Sequence, residues 1–342
     1  MSKPGVDSGS DSDPIADLIA RIRASADALH ADRTSRGDLK ILSRTLRELR
    51  YAFKVFAEYR HRRKVTVFGS ARTLPTAPAY EQAVSLGRAL AARDWMVITG
   101  AGSGIMEAGH RGSGSAHAMG LNIMLPFEQG ANEVILGDPK LVSMKYFFTR
   151  KLMFVKECDG VVCLPGGFGT LDEAMEVLTL LQTGKREMMP VVLLDEPGGD
   201  YWADWQKYVT RHLLQGKMIS SSDLQLYKVC DQVEEAVDEL LDFYRVYHSM
   251  RYVGPQLVLR IERPLTEQQL AALNDQFADL LQAGRIEQRG ALPAESDEHQ
   301  LAEKPRLVLK FNRRSFGRLR QLIDAINQTA ASDSIDALDQ AS

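Results

Sequence analysis

Val161-Val162-Cys163-Leu164-Pro165-Gly166-Gly167-Phe168-Gly169-Thr170-Leu171-Asp172-Glu173 changes character twice within one short stretch. The apolar run reads as a buried strand, Pro-Gly-Gly stops it, and the chain restarts as a helix. A helix N-terminus carries about half a positive charge and up to four N–H groups without helical acceptors, so glycines that bring backbone close make it an anion seat. Glu173 stands one turn further in. A carboxylate beside an anion seat repels a simple phosphate ligand unless it faces a part of the ligand that becomes positive, which points to sugar chemistry. The same residues allow a structural alternative: Thr170-Leu171-Asp172-Glu173 fits the T-x-x-E capping box, in which the carboxylate returns to the backbone of Thr170.

Short apolar runs alternate with helical segments on either side of this stretch. Strands are expected at Val65–Phe68, Met96–Thr99, Leu121–Leu125, Val161–Leu164 and Pro190–Leu194, with a further one near 226–230. Helices are expected at about 79–92, 104–117, 141–157, 170–183, 201–214 and 232–247. The strands lack polar alternation, so both sheet faces should be covered. The fold class is therefore α/β: a Rossmann-like parallel sheet with helices on both faces, whose ligands sit at the carboxyl ends of the strands.

The expected segmentation is a disordered tail at 1–14, a helical extension at 15–63, the Rossmann-like domain at 64–250, a small α+β module at 255–330 and a polar tail at 331–342. In the extension, Ile41, Leu42, Leu46, Leu49, Phe53 and Phe56 recur at helical spacing, which leaves a face in need of a partner surface. Ile15 to Lys64 holds thirteen Lys/Arg against six Asp/Glu; a solvated face accounts for them, with an anionic effector or nucleic acid as the other reading. The C-terminal module reads as βαββα: strands Gln256–Glu262, Arg285–Arg289 and Arg306–Phe311, helices 266–283 and 315–328, and a polar loop at 291–304. It holds no catalytic constellation, and its architecture fits regulation or oligomerisation.

Composition narrows the function. With 342 residues, 44% hydrophobic, the chain can bury a full core, and no run approaches the roughly 18 apolar residues of a membrane span. The first residues lack the apolar centre of a signal peptide, so a cytoplasmic protein is expected. Cys158, Cys163 and Cys230 lack C-x-x-C spacing, which fits reduced core thiols rather than disulfides or a metal. A net charge of −3 argues against nucleic acid as the partner of the whole protein.

Four strand-end clusters should converge. Gly69-Ser70-Ala71-Arg72 offers a turn, a hydroxyl and a cation to a phosphate or ribose oxygen, with Ser70 and Arg72 as the contacting residues. Thr99-Gly100-Ala101-Gly102-Ser103-Gly104-Ile105-Met106-Glu107 has G-x-G-x-G spacing, short of the dinucleotide fingerprint, and no GxxxxGK[ST] occurs; a mononucleotide fits better than NAD or a nucleoside triphosphate. Gly100, Gly102 and Gly104 are its phosphate-loop candidates, and Glu107 a candidate for a ribose hydroxyl. Arg150-Lys151 supplies the third cluster. Adjacent helix residues point about 100° apart, and Arg150, a planar fork that can make two parallel bonds, is the better choice to face the cleft. Gly166, Gly167, Gly169, Thr170 and Glu173 form the fourth. His110 and His117 have no partners for a metal set, Ser70 and Ser103 lack a G-x-S-x-G elbow, and Phe147, Phe148 and Phe154 read first as core.

This combination resembles the LOG family (Lonely Guy, often labelled lysine-decarboxylase-like), whose marks are PGGxGTxxE and a preceding GGGxxGxM loop. The first is complete from Pro165 to Glu173; the second appears from Gly100 to Met106 with Ala101 in place of a glycine. Where shorter members read M-H-x-R-K, this chain has Phe147-Phe148-Thr149-Arg150-Lys151. The resemblance covers about residues 64–248. It implies hydrolysis of the N-glycosidic bond of a nucleoside 5′-monophosphate to free base and ribose 5-phosphate, homodimers or higher homo-oligomers, catalytic roles for Arg150 and Glu173, and Lys151 among the substrate-binding residues. No cofactor is implied, and no lysine sits in an identifiable pyridoxal phosphate context. The alternative is a carrier of the same fold that binds a nucleotide or pterin-like cofactor without turning it over.

Overall fold

The computed structural model describes residues 14–124, 130–296 and 298–339. The expected tail at 1–14, apart from Pro14, lies outside the described residues, as do Leu125 of the expected third strand and residues 340–342 of the expected polar tail. The chain divides into two compact units, Met1–Tyr51 and Ala52–Ser342.

The first unit holds helix α1 (Pro14–Ala31) and most of α2 (Arg36–Ala57). Ser35 starts α2: its Oγ accepts from the Asp38 backbone N–H at 3.2 Å and donates to the Asp38 carboxylate at 2.8 Å. Leu39, Leu42 and Leu46 remain exposed along α2, Leu46 by 55%.

The second unit is built on seven parallel strands: β1 (Lys64–Phe68), β2 (Met96–Thr99), β3 (Ala118–Ile123), β4 (Leu141–Met144), β5 (Gly160–Cys163), β6 (Val191–Leu194) and β7 (Lys228–Cys230). Their order is β4-β3-β2-β1-β5-β6-β7. The chain winds outward from β1 to β4, returns to place β5 beside β1, and winds the other way. Val65, Val67, Val162, Leu164, Val192 and Leu194 face a buried layer shared with α3 (Pro78–Ala91), α4 (Ile105–Ser113) and α8 (Val233–Asp242). On the opposite face Thr66 Oγ1 donates to the Phe154 carbonyl at 3.1 Å and the Phe68 ring meets Phe154 edge-on at 5.0 Å, which seats α5 (Phe147–Lys156). Burial of both faces of the central strands β1, β2, β5 and β6 explains why these runs show no polar alternation.

Several boundaries differ from expectation. The single helix expected at 141–157 is a strand, β4, followed by α5; β4 is an edge strand whose pattern of alternating burial is too short to stand out from the helical period that follows. α4 stops at Gly114, which takes φ +70°, so His117 is not helical. α7 (Tyr201–Tyr208) passes into one wide π turn at Val209–Leu214. α8 ends at Asp242, five residues short, because Tyr247 begins a new strand.

That strand changes the C-terminal module from βαββα to ββαββα. It contains β8 (Tyr247–Val253), β9 (Gln256–Ile261), α9 (Glu267–Gln276), β10 (Leu281–Arg289), β11 (Arg306–Phe311) and α10 (Phe316–Asp339). The sheet is antiparallel, in the order β10-β11-β9-β8. The boundary expected between residues 250 and 255 falls in the β8–β9 hairpin, with Gly254 at φ +58°, and the segment expected as a polar tail continues α10 to Asp339. One buried side chain fastens α10 to the end of the parallel layer: Asn327 Oδ1 accepts from the N–H groups of Val246 (2.9 Å) and Tyr247 (2.8 Å), and its Nδ2 donates to the Phe243 carbonyl (2.7 Å). Asn327→Leu leaves three backbone groups without their partner and is expected to cost about 3 kcal/mol of stability, read as a lower denaturant midpoint. An unchanged midpoint would show that water replaces the amide.

Candidate active site

The outward and returning halves of the parallel sheet part between β1 and β5, so the loops after these strands leave in opposite directions and open a crevice. The two loops are tied at its floor: Ser70 N–H donates to the Pro165 carbonyl at 3.1 Å. Gly166 is required there, since a Cβ would fall 2.2 Å from Thr170 Oγ1 and 3.0 Å from Ser70 N. The loop after β2 is tied in as well, through Ile105 N–H to the Ser70 carbonyl (3.1 Å) and Ser103 Oγ to the Ala71 carbonyl (2.8 Å). Gly104, at φ +65°, makes this approach possible, because any Cβ would stand 2.4 Å from the Ser70 carbonyl oxygen.

Helix α6 (Phe168–Gln182) points its N-terminus into the crevice. Its N-cap is Gly167, with no side-chain cap and no acidic residue in the first turn. Thr170 N–H donates to the Gly167 carbonyl at 3.0 Å, whereas Phe168 and Gly169 precede any helical acceptor. Thr170 is thus the third helical residue rather than the cap. This removes the capping-box reading: Glu173 lies a turn too deep to reach an N-cap backbone.

The carboxylate of Glu173 is buried beside the cleft. Burial pushes it above the ordinary carboxylate range, against the opposing charges of Lys151 and Arg150. Lys151 Nζ lies 3.2 Å from Glu173 Oε2, 2.9 Å from Asp172 Oδ2 and 2.6 Å from Glu176 Oε2. Arg150 reaches the cleft from α5, its guanidinium carbon 5.0 Å from the centre of the Phe147 ring and 5.5 Å from that of Phe154. Its Nη1 also lies 3.7 Å from where a Cβ on Gly100 would be. A side chain at residue 100 would therefore crowd both the guanidinium and Met106, whose Sδ would be 2.7 Å away.

The cleft encloses about 850 Å³ and brings together Ser70, Arg72, Gly100, Gly102, Arg150, Gly166, Gly167, Gly169, Thr170 and Glu173. Three expected residues are not among its lining. Gly104 joins the loops behind it, Lys151 sits behind Glu173, and Glu107 is held on α4 by Arg111 at 2.8 Å. Phe147 and Phe154, read first as core, form part of the wall together with Met106 and Ile123, while Phe148 stacks on Tyr146 at 5.2 Å.

His110 belongs to the support of the glycine loop. Its Nε2 is 3.0 Å from both the Met119 carbonyl and Thr99 Oγ1; a carbonyl only accepts, so the proton is on Nε2 and Nδ1 accepts from Asn132 Nδ2 at 3.3 Å. Burial lowers its pKa to about 4 and keeps the ring neutral. Thr99 Oγ1 and Asn132 then hold Ala101 and Gly102 by their backbone, with Ala101 at φ +61°. Asn132 escaped the sequence reading because it lies outside the strand-end clusters and no motif marks it.

A family model described as "Possible lysine decarboxylase" matches residues 100–240. The cytokinin riboside 5′-monophosphate phosphoribohydrolase LOG4 of Arabidopsis thaliana is 30% identical over 190 residues, 54% of this chain and 82% of its own length. The chain belongs to the LOG family. Arabidopsis thaliana LOG3 is 28% identical over 188 residues, with 53% and 83% of the two chains covered. Among solved structures, the molybdenum cofactor carrier protein of Chlamydomonas reinhardtii aligns at 23% identity and a TM-score of 0.36, over 53% of this chain and 99% of its own. In the family's second loop, Ala101 is one departure, and this LOG protein accommodates it in a left-handed backbone conformation. None of its described helices is long and apolar enough to cross a membrane.

Proposed function

We propose that this LOG protein hydrolyses the N-glycosidic bond of a nucleoside 5′-monophosphate, AMP-like or cytokinin-type, to free base and ribose 5-phosphate. One observation carries the reading: a guanidinium, a buried carboxylate and an uncapped helix N-terminus share a single cleft of nucleotide size. The phosphate docks on the N–H groups of Phe168 and Gly169 and on the Thr170 hydroxyl, with Ser70 and Arg72 across the crevice. That anchor presents the ribose to Arg150 and Glu173. As the C1′–N bond lengthens, C1′ acquires oxocarbenium character, which the Glu173 carboxylate stabilises while orienting water. Water oxygen bonds to C1′ and releases one of its protons to solvent, the bonding pair leaves with the base, and the base takes up one proton from solvent, so one water is consumed overall.

Incubation with a panel of purine and pyrimidine nucleoside monophosphates is expected to release base and ribose 5-phosphate from at least one. Saturable binding across the panel without product would replace this reading with that of a carrier. The phosphate seat has its own test. Gly166→Ala pushes a methyl group onto the Thr170 hydroxyl and is expected to weaken ribose 5-phosphate binding about tenfold or more, measured by calorimetry. Unchanged affinity would move the phosphate elsewhere.

A further inference from the structure

We propose that Lys151 is a positioning residue that keeps the Glu173 carboxylate ionised and turned towards the cleft, rather than a contact to substrate. The inference rests on the hydrolase reading above. Its basis is a charge arrangement at the edge of the site: Asp172 and Glu173, which line the cleft, and Glu176 converge from α6 on the one ammonium of Lys151, at 2.9, 3.2 and 2.6 Å. The Lys151 side chain is 18% exposed and that of Glu173 8%, whereas Asp172 and Glu176 are open to water at 64% and 37%. The outer two carboxylates are well solvated; Glu173 is far less so. It is therefore the member of the set that depends most on the cation.

Every charged neighbour of Glu173 acts in a known direction. From α5, Lys151 and Arg150 favour the carboxylate; from α6, Glu176 disfavours it, and the nearby Asp172 carries the same sign; from β5, the buried thiol of Cys163 lies close enough to be pushed up by Glu173. Arg72 faces the same cleft from the β1 loop. Three negative charges thus confront two cations on the neighbouring helix, and Arg150 is the one turned to the substrate. Lys151 in turn is held charged: burial opposes its ammonium, but Glu176, Asp172 and Glu173 together raise its pKa. An ammonium so fixed, between two helices and off the cleft lining, fits the support of a catalytic group.

Lys151→Met keeps the stem and removes the charge. The sign follows directly. Without the cation, protonation of Glu173 becomes easier and its pKa rises further, so activity that requires the carboxylate is lost at a higher pH on the acid side. The ratio of wild-type to variant kcat/KM is expected to be about tenfold larger at pH 5.5 than at pH 8. Lys151→Arg, which keeps the charge, is expected to restore the wild-type acid limb. A purely structural tie between α5 and α6 predicts otherwise: a lower melting temperature with an unchanged limb, which would overturn the proposal. A second measurement is independent of turnover. The carboxylate stretching band of Glu173, isolated as the infrared difference between wild type and Glu173→Gln, is followed against pH in the wild-type and Lys151→Met backgrounds. A midpoint that does not move also overturns the proposal, whether or not a substrate has been found. Absence of base release by the wild-type protein, with the midpoint displaced, would sink only the hydrolase reading.

Discussion

Glu173→Gln is expected to lower base release by about 10²–10⁴-fold while leaving the fold and phosphate binding intact. The amide has the size and shape of the carboxylate, so the α5–α6 packing around it is preserved. Lys151 keeps Asp172 and Glu176 as partners. On the proposed mechanism, the variant loses the negative charge that faces C1′. A neutral amide can still hydrogen-bond a ribose hydroxyl, but it cannot offset a developing cation. The check is initial rates on the best substrate of the panel, with thermal melting and ribose 5-phosphate titration as controls. Full turnover in a folded variant would exclude the carboxylate from the reaction. The structural alternative no longer supplies an escape, because Thr170 sits inside the helix and its N–H is bonded to Gly167.

Arg150→Lys carries the second large effect, a loss of about 10²-fold in kcat/KM, with Arg150→Ala lower still. The guanidinium is a flat group placed against two rings, Phe147 and Phe154, with the Gly100 turn close to Nη1. Those surfaces suit a plane. An ammonium on a shorter stem cannot span the same distance with two parallel donors, although it keeps the formal charge. The comparison of the two variants separates geometry from charge: if lysine restores wild-type kcat/KM, charge alone suffices and the fork has no positioning role. The pH profile supplies a further check, since Arg150 also favours the ionised form of Glu173 and its removal moves the acid limb upwards.

Much of this arrangement was legible in the chain. The core strands beside the crevice, β1, β2 and β5, announce themselves because both faces are buried and their residues are predominantly apolar. The Pro165–Glu173 motif marks the crevice because glycine is needed where loops cross. β4 was not legible, since an edge strand of four residues has too little pattern to compete with an adjoining helix. β8 was hidden for another reason: Tyr247 and Met250 continue the apolar spacing of Leu240 and Phe243, and only pairing with β9 reveals a strand. Lys151 shows the limit at the site itself. Sequence placed it next to Arg150, but its contact with three carboxylates depends on the relative rotation of two helices, which no local spacing encodes. Glu107 illustrates the converse: it sits in a cleft-forming motif, yet the helix turns it towards Arg111.

The helix that bears Glu173 has its opposite end against the C-terminal module. Just past that end, Phe316 of α10 lies over Gly184, so close that a methyl group there would be 2.0 Å from the ring. Fifteen residues of α-helix make a rod about 22 Å long, and a tilt of about 3° at one end swings the other by roughly 1 Å. The second module therefore packs directly against the far end of the helix whose first turn faces the cleft.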